Sequence, residues 1–509
     1  MRSRQRAAWG LDPMKLGLET AIVDTQVLDR TAARCRERNI LLPTFAQLAD
    51  PDSIPDSVWS ALAAVDPDTP HPMNLFRVHW FNDDGRTGRA AVPAHVVLPP
   101  SITGTDAIIV VAFGDRFPMI RAHKVLAAYG CLAPRLATGQ FDPTTQRALW
   151  PSTGNYCRGG VAISRLLGCR SAAVLPEGMS RERFEWLDRW TEGPDEIIKT
   201  PGTESNVKEI YDACTELEAD PQNLVLNQFC DFGNHVAHRL CTGRALERLA
   251  RQVQEDRPGT HPALFVSATG SAGTLGAGDH LKGAFGLKCA AVEPLECPTL
   301  LYNGYGEHNI QGIGDRHVPL IHNVMGTDLV IGVTDRATDH LLVLLNTDVG
   351  RAHLADQHDI SGLLLDAFRS MGLSSLANVI ASIKAAKRLG LGRDDIVLTV
   401  ATDGAAMYAS EIERISVRDF PSGFDAGDAG EAFESWLSGA TTDHVLELET
   451  MDRERIFNLG YFTWVEQQGV SLAAFEARRS REFWDGLPSL ARSWDEHIID
   501  LNHRSGVRT

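Results

Sequence analysis

The chain has 509 residues, which at about 150 residues per domain gives an expectation of roughly three units. Apolar residues make up 43% and charged residues 23%, a globular mixture that excludes a mainly disordered, collagen-like or coiled-coil protein. The 49 basic and 66 acidic side chains leave a net charge of −17, which disfavours nucleic acid and anionic membranes as main partners.

No run of about 18 uninterrupted apolar residues occurs, so no transmembrane helix is expected. The basic segment 1–15 lacks an apolar stretch, so no secretory signal is expected either. The 9 cysteines are scattered, with no C-x-x-C pair, which suits reduced thiols and a cytoplasmic location. His235 and His238 sit three apart without a second ligand pair, and no metal site is expected.

Residues 1–93 read as an N-terminal extension. Asp50-Pro51-Asp52 and Pro67-Asp68-Thr69-Pro70 punctuate it with turns, and helical pieces such as 58–64 lie between them. The main body starts near Ala94. Residues 107–112 (AIIVVA) are a continuous apolar run, the pattern of a buried strand, and 125–132 read as a short helix that Pro134 ends. Helices and strands then alternate. The helix-like segments are 161–167, 181–190, 207–218, 244–254 and 374–389. The strand-like segments are 171–175, 196–199, 224–227, 263–267 (ALFVS), 287–293 and 395–401 (DIVLTVA). This alternation predicts α/β layers around mostly parallel sheets. Residues 421–431, rich in Gly and Asp, read as a linker, and 453–494 as helices.

Four stretches carry candidate chemistry. The strand 263–267 runs into a segment of small residues, 267–278, in which Gly270, Ser271, Ala272, Gly273 and Thr274 stand where a helix begins. Glycines let backbone N–H groups approach an anion, hydroxyls add donors, and a helix N-terminus adds positive potential, so a phosphate is the natural ligand. No Gly-Lys-Ser/Thr follows, and the spacing is not G-x-G-x-x-G. Ser152-Thr153-Gly154-Asn155 precedes an apolar helix and suits a carboxylate. Lys124 follows the first buried strand, where apolar neighbours favour a neutral, nucleophilic amine. Thr402-Asp403-Gly404 follows the strand 395–401, at the end that faces the usual ligand crevice.

Together these stretches resemble the cysteine synthase and cystathionine β-synthase family, pyridoxal-phosphate enzymes with the tryptophan-synthase-β-like fold. The resemblance runs from about His95 to Ser410. Lys124, shortly after Phe117-Pro118, falls at the family's Schiff-base lysine. Residues 152–155 look like the family's Thr-Ser-Gly-Asn loop. Asn227-Gln228-Phe229, Asn234 and Thr242-Gly243 look like its Gln-Gln-Phe…Asn…Thr-Gly stretch. Residues 270–274 look like its phosphate loop. Val292-Glu293-Pro294 and His308-Asn-Ile-Gln-Gly312-Ile-Gly314 match two more stretches. This chain departs from the family in Lys124-Val-Leu, in Tyr156 after the loop asparagine, and in both terminal extensions.

The resemblance implies two three-layer α/β domains with mainly helical N- and C-terminal extensions. The large cofactor-binding domain would be 94–132 with 242–415, the small mobile domain 133–241, and the C-terminal extension 416–509. It implies pyridoxal 5'-phosphate as cofactor and Lys124 as catalytic residue. Asn155, Gly270, Ser271, Ala272, Gly273 and Thr274 would bind the cofactor. Thr402 and Asp403 are the alternatives beside its ring nitrogen, with Asp403 favoured on alignment to Gly404. Ser152, Thr153, Gly154 and Gln228 would meet the substrate carboxylate, and Arg158 a second anionic group. The implied activity is β-elimination or β-replacement on a Cys- or Ser-like amino acid through an aminoacrylate intermediate, in a homodimer. The alternatives are a dehydratase or ammonia-lyase of the same cofactor class, and a non-catalytic ligand-binding homologue.

Overall fold

A computed structural model describes residues 15–508; all of the basic segment 1–15 except Lys15 lies outside the described residues. Eleven strands occur among them: β1 (His95–Leu98), β2 (Ile108–Phe113), β3 (Arg147–Pro151), β4 (Arg170–Pro176), β5 (Ile197–Thr200), β6 (Asn223–Val225), β7 (His261–Ala268), β8 (Lys288–Pro294), β9 (Leu329–Val333), β10 (Asp395–Ala401) and β11 (Val445–Glu447). They form a seven-stranded sheet in the order β1-β2-β10-β7-β8-β9-β11 and a four-stranded sheet in the order β5-β4-β3-β6. The smaller sheet is wholly parallel. In the larger, β2 to β9 are parallel, and the two edge strands, β1 and β11, run antiparallel to their neighbours. Every residue of β2 and β9 is buried, as expected of parallel strands covered by helices on both faces.

The helices fall close to the positions the apolar periodicity marks, including Arg181–Trp190, Val207–Leu217, Gly243–Asp256 and Leu373–Leu389. Three differences have physical reasons. First, the helix Lys124–Ala137 runs through Pro134 instead of ending there. Proline removes only its own N–H bond near the last turn, and burial of every residue from Val125 to Ala137 outweighs that loss. Second, the stretch expected as a linker at 421–431 contains most of the helix Ala426–Phe433. Asp425 caps it reciprocally with Asp428, and Ala429, Ala432 and Phe433 are buried. Third, the C-terminal segment contributes β11, which pairs with β9 through Val445, Leu446 and Glu447. Among the described residues, no single helix is long and apolar enough to cross a membrane.

Candidate active site

Side chains and loops that follow the carboxyl ends of β2, β3, β5, β6, β7, β8 and β10 line one cavity between the two sheets. Loops at that end diverge from the twisted strands and leave a crevice that helices do not fill. Lys124, Ser152, Thr153, Asn155, Gln228, Gly270, Ser271, Ala272, Gly273, Thr274 and Thr402 all border it. Gly154, Arg158 and Asp403 do not.

Lys124 is the first residue of its helix. Its Nζ donates to Gln228 Oε1 at 3.0 Å and to Ser271 Oγ at 3.3 Å. Desolvation lowers its pKa from 10.5 to about 8, against the opposing pull of the Asp315 carboxyl. Gln228 also donates through Nε2 to Ser152 Oγ at 3.4 Å, so it ties the lysine to the loop after β3.

The segment 270–274 joins β7 to the helix Leu275–Phe285. Ala272 has a left-handed φ of 62°, which turns successive amides towards one side. Among the described residues no hydrogen bond uses the backbone N–H groups of Gly270, Ser271, Ala272, Gly273 or Thr274. Unsatisfied amides beside a helix start are a seat for an anion. A Cβ on Gly273 would stand 2.2 Å from Asn234 Oδ1, so only glycine fits there. Asn234 Nδ2 in turn donates to Ser271 Oγ at 3.1 Å and holds the turn in shape.

Two expectations are corrected by the geometry. Arg158 does not offer its charge to a ligand: it is 1% exposed, donates to Asn155 Oδ1 (2.9 Å) and the Ile120 carbonyl (3.1 Å), and stacks over Trp186. Of the two alternatives beside the ring nitrogen, Thr402 lines the cavity and Asp403, the one alignment to Gly404 favours, does not. Successive residues leaving a strand point to opposite sides, so only one of the two can face the crevice. The Asp403 carboxylate instead accepts from Asn155 Nδ2 (2.6 Å) and the Tyr408 hydroxyl (2.9 Å), and lies 3.9 Å from Arg183. Asn155 is thereby gripped at both ends of its amide, by Asp403 and Arg158.

The sequence reading does not single out Glu204, Asp315, Ser374 or Asn378, which also border the cavity. Glu204 lies in a polar loop after β5 with no local pattern to mark it. Asp315 directly follows Gly312-Ile313-Gly314, and that position was the available signal.

A family model for the pyridoxal-phosphate dependent enzyme matches residues 115–403. Over 257 residues the chain is 32% identical to cysteine synthase B of Campylobacter jejuni, across 49% of this chain and 75% of that protein. The O-acetyl serine sulfhydrylase isoform 3 of Entamoeba histolytica superposes with a TM-score of 0.52 at 24% identity, over 68% of this chain and 93% of the other. A hydrogen sulfide-producing enzyme of Fusobacterium nucleatum does so with a TM-score of 0.51 at 22% identity, over 62% and 96% of the two chains. Both structures share the fold of this chain. The family match begins just after β2 and ends just after β10, and so encloses Lys124, the loop 152–155, the anion seat at 270–274 and Thr402. With that match spanning more than half of its length, the chain belongs to the pyridoxal-phosphate-dependent enzyme family.

Proposed function

We propose that the chain catalyses β-elimination or β-replacement on an amino acid of the cysteine or serine type, with pyridoxal phosphate as cofactor. The observation that carries this reading is the desolvated amine of Lys124, held beside a seat of five free backbone amides in one cavity. Those residues fit the group. The amides of 270–274 would take its phosphate, Lys124 its aldehyde carbon, Asn155 its ring hydroxyl, and the Thr402 hydroxyl its ring nitrogen. When bound, the cofactor supplies a conjugated electron sink for charge developing at the α-carbon of an amino acid.

The chain's own groups do the rest. Lys124 Nζ, its pKa lowered by desolvation to about 8, is the base at the α-carbon. Ser152, the loop around Thr153 and Gln228 orient the substrate carboxylate. A hydroxyl at position 402, unlike a carboxylate, leaves a ring nitrogen largely neutral, which suits loss of a β-substituent over deeper carbanion chemistry. The small-sheet elements can exclude water as they meet the larger sheet. The reading extends to a cytoplasmic homodimer: all nine cysteines are unpaired thiols, and dimerisation follows the family resemblance.

The test is a visible absorption spectrum of purified wild type beside Lys124→Ala. Wild type is expected to be yellow and to be labelled at Lys124 when reduced with borohydride; the variant is expected to be neither. A colourless wild type that pyridoxal phosphate does not reconstitute would overturn the assignment. Keto acid formed without added thiol marks elimination, and product formed only with a second substrate marks replacement. Light scattering that gives a monomer mass would refute the dimer.

A further inference from the structure

Two carboxyl groups share the cavity with Lys124 and have no part in the chemistry above. Glu204 is 2% exposed. Its Oε1 accepts from the Thr153 hydroxyl and from the Gly312 N–H (2.6 Å), while its buried Oε2 has no partner. Asp315 is 8% exposed, and its Oδ2 is likewise buried without a partner. Both residues line the cavity. Burial pushes Glu204 up to about 7, and burial together with the Glu204 charge holds Asp315 well above the carboxylate range. Two desolvated carboxyls with vacant acceptor atoms are costly unless a cation or strong donor meets them. The protein supplies little. Arg183, the guanidinium that acts on Glu204, is already bonded to Gln311, Ser180 and Tyr408. Lys124 is the cation that offsets Asp315, and it is committed to the cofactor once that is bound.

We propose that Glu204 and Asp315 form an ammonium-accepting subsite at the β-position of the substrate, so that the group lost or gained there is nitrogen. The inference rests on the function proposed above and names its substrate class. The substrate's α-amine is used by the cofactor and its carboxylate by the 152–155 loop and Gln228, which leaves the acid pair for the third end of the molecule. The ammonium has two possible sources. If it is carried by a 2,3-diamino acid, the β-carbon–nitrogen bond breaks, ammonia leaves with the bonding pair, and the α-proton passes to Lys124. Overall, 2,3-diaminopropionate and water then give pyruvate and two ammonia. If it is the incoming nucleophile, an ammonium ion first gives one proton to the ionised carboxylate, and its nitrogen then bonds to the β-carbon. O-acetylserine and ammonia then give 2,3-diaminopropionate and acetate. A thiolate, carrying negative charge, is repelled by the ionised form of the same pair.

The experiment titrates the holoenzyme with 2,3-diaminopropionate, serine, cysteine and alanine, following the cofactor absorption band. Wild type, Glu204→Gln and Asp315→Asn are compared, with thermal melting as a check on folding. Diaminopropionate is expected to bind at least tenfold more tightly than alanine or serine in wild type. That preference is expected to shrink at least tenfold in one or both variants, while alanine affinity stays within about threefold. Equal affinities in wild type overturn the proposal, and so does a preference that both variants retain. If no amino acid shifts the band, the function proposed above fails as well, and the two failures are thereby told apart. Pyruvate from diaminopropionate identifies the substrate as the ammonium source. Diaminopropionate formed from O-acetylserine and ammonia identifies the nucleophile. If serine esters react with sulfide faster than with ammonia at equal concentration, and diaminopropionate yields no pyruvate, the subsite assignment is wrong.

Discussion

Lys124 shows how a single residue acquires chemistry from its surroundings. At pH 7 an ordinary lysine is neutral in about one molecule in 3,000. With its pKa near 8, Lys124 is neutral in about one in ten. The rate at which apo-protein takes up pyridoxal phosphate is therefore expected to rise between pH 6 and 8 and to level off above about 8, as stopped-flow absorbance can follow. Glu293 makes the opposite point. Buried near the carboxyl end of β8, it accepts from the N–H groups of Leu300 and Leu301, yet burial still pushes its pKa from 4.5 to about 8. A carboxyl raised in the folded state contributes stability in full below its unfolded pKa and loses it as pH rises through the folded one. Melting temperature should accordingly fall between about pH 5 and 8, and Glu293→Gln should flatten that fall. Asp403 is the third case. It lies beside Arg183 and accepts from Asn155 and Tyr408, so Asp403→Ala leaves two buried donors without their acceptor and the Arg183 guanidinium without its neighbouring carboxylate. A loss of about 3–5 kcal/mol is expected in denaturant unfolding.

At the scale of elements, close backbone approach fixes the site. The helix Lys124–Ala137 crosses the helix Phe232–Ala237, which carries Asn234, at Gly130 and Gly233. A Cβ on Gly130 would stand 2.6 Å from the Gly233 carbonyl oxygen, which is backbone and cannot move aside alone. Gly130→Ala is expected to cost about 1–3 kcal/mol by overpacking, and to weaken cofactor retention because it shifts Lys124 against Asn234. Unfolding and dialysis against buffer measure the two effects separately. The strands and most helices were legible from period and composition, because a parallel strand must be a continuous apolar run. The helix Ala426–Phe433 was not: its Gly and Asp content mimics a linker, and only burial of Ala429, Ala432 and Phe433 outweighs that composition.

Across the described residues, the N- and C-terminal extensions close on each other. The helix Pro488–Ser505 packs beside Thr25–Arg38 and against the helix that carries Lys124. Asn502 exchanges two hydrogen bonds with the Leu42 backbone, and Asp495 accepts from the N–H groups of Phe45 and Ala46. Trp484 lies against Phe232 and His235, in the same short helix as Asn234. Asp495→Ala removes two acceptor contacts at a helix start and is expected to cost about 1–2 kcal/mol. Deleting residues 488–509 is expected to lower the melting temperature and to release cofactor, because it uncovers Phe45 and the Lys124 helix. Calorimetry and the absorption band report both.

The sequence by itself determined the α/β layering, the anion loop, the lysine and the family, because each is written locally as an apolar run, a glycine cluster or a short ordered motif. Tertiary structure alone decided which polar residues face the cavity. Thr402 and Asp403 are neighbours with opposite directions, and Arg158 is spent on Asn155. Glu204 and Asp315, 111 positions apart, meet one pocket only because β5 and β8 belong to different sheets whose carboxyl ends converge. Side-chain direction and contact across that distance depend on packing, which no local pattern records.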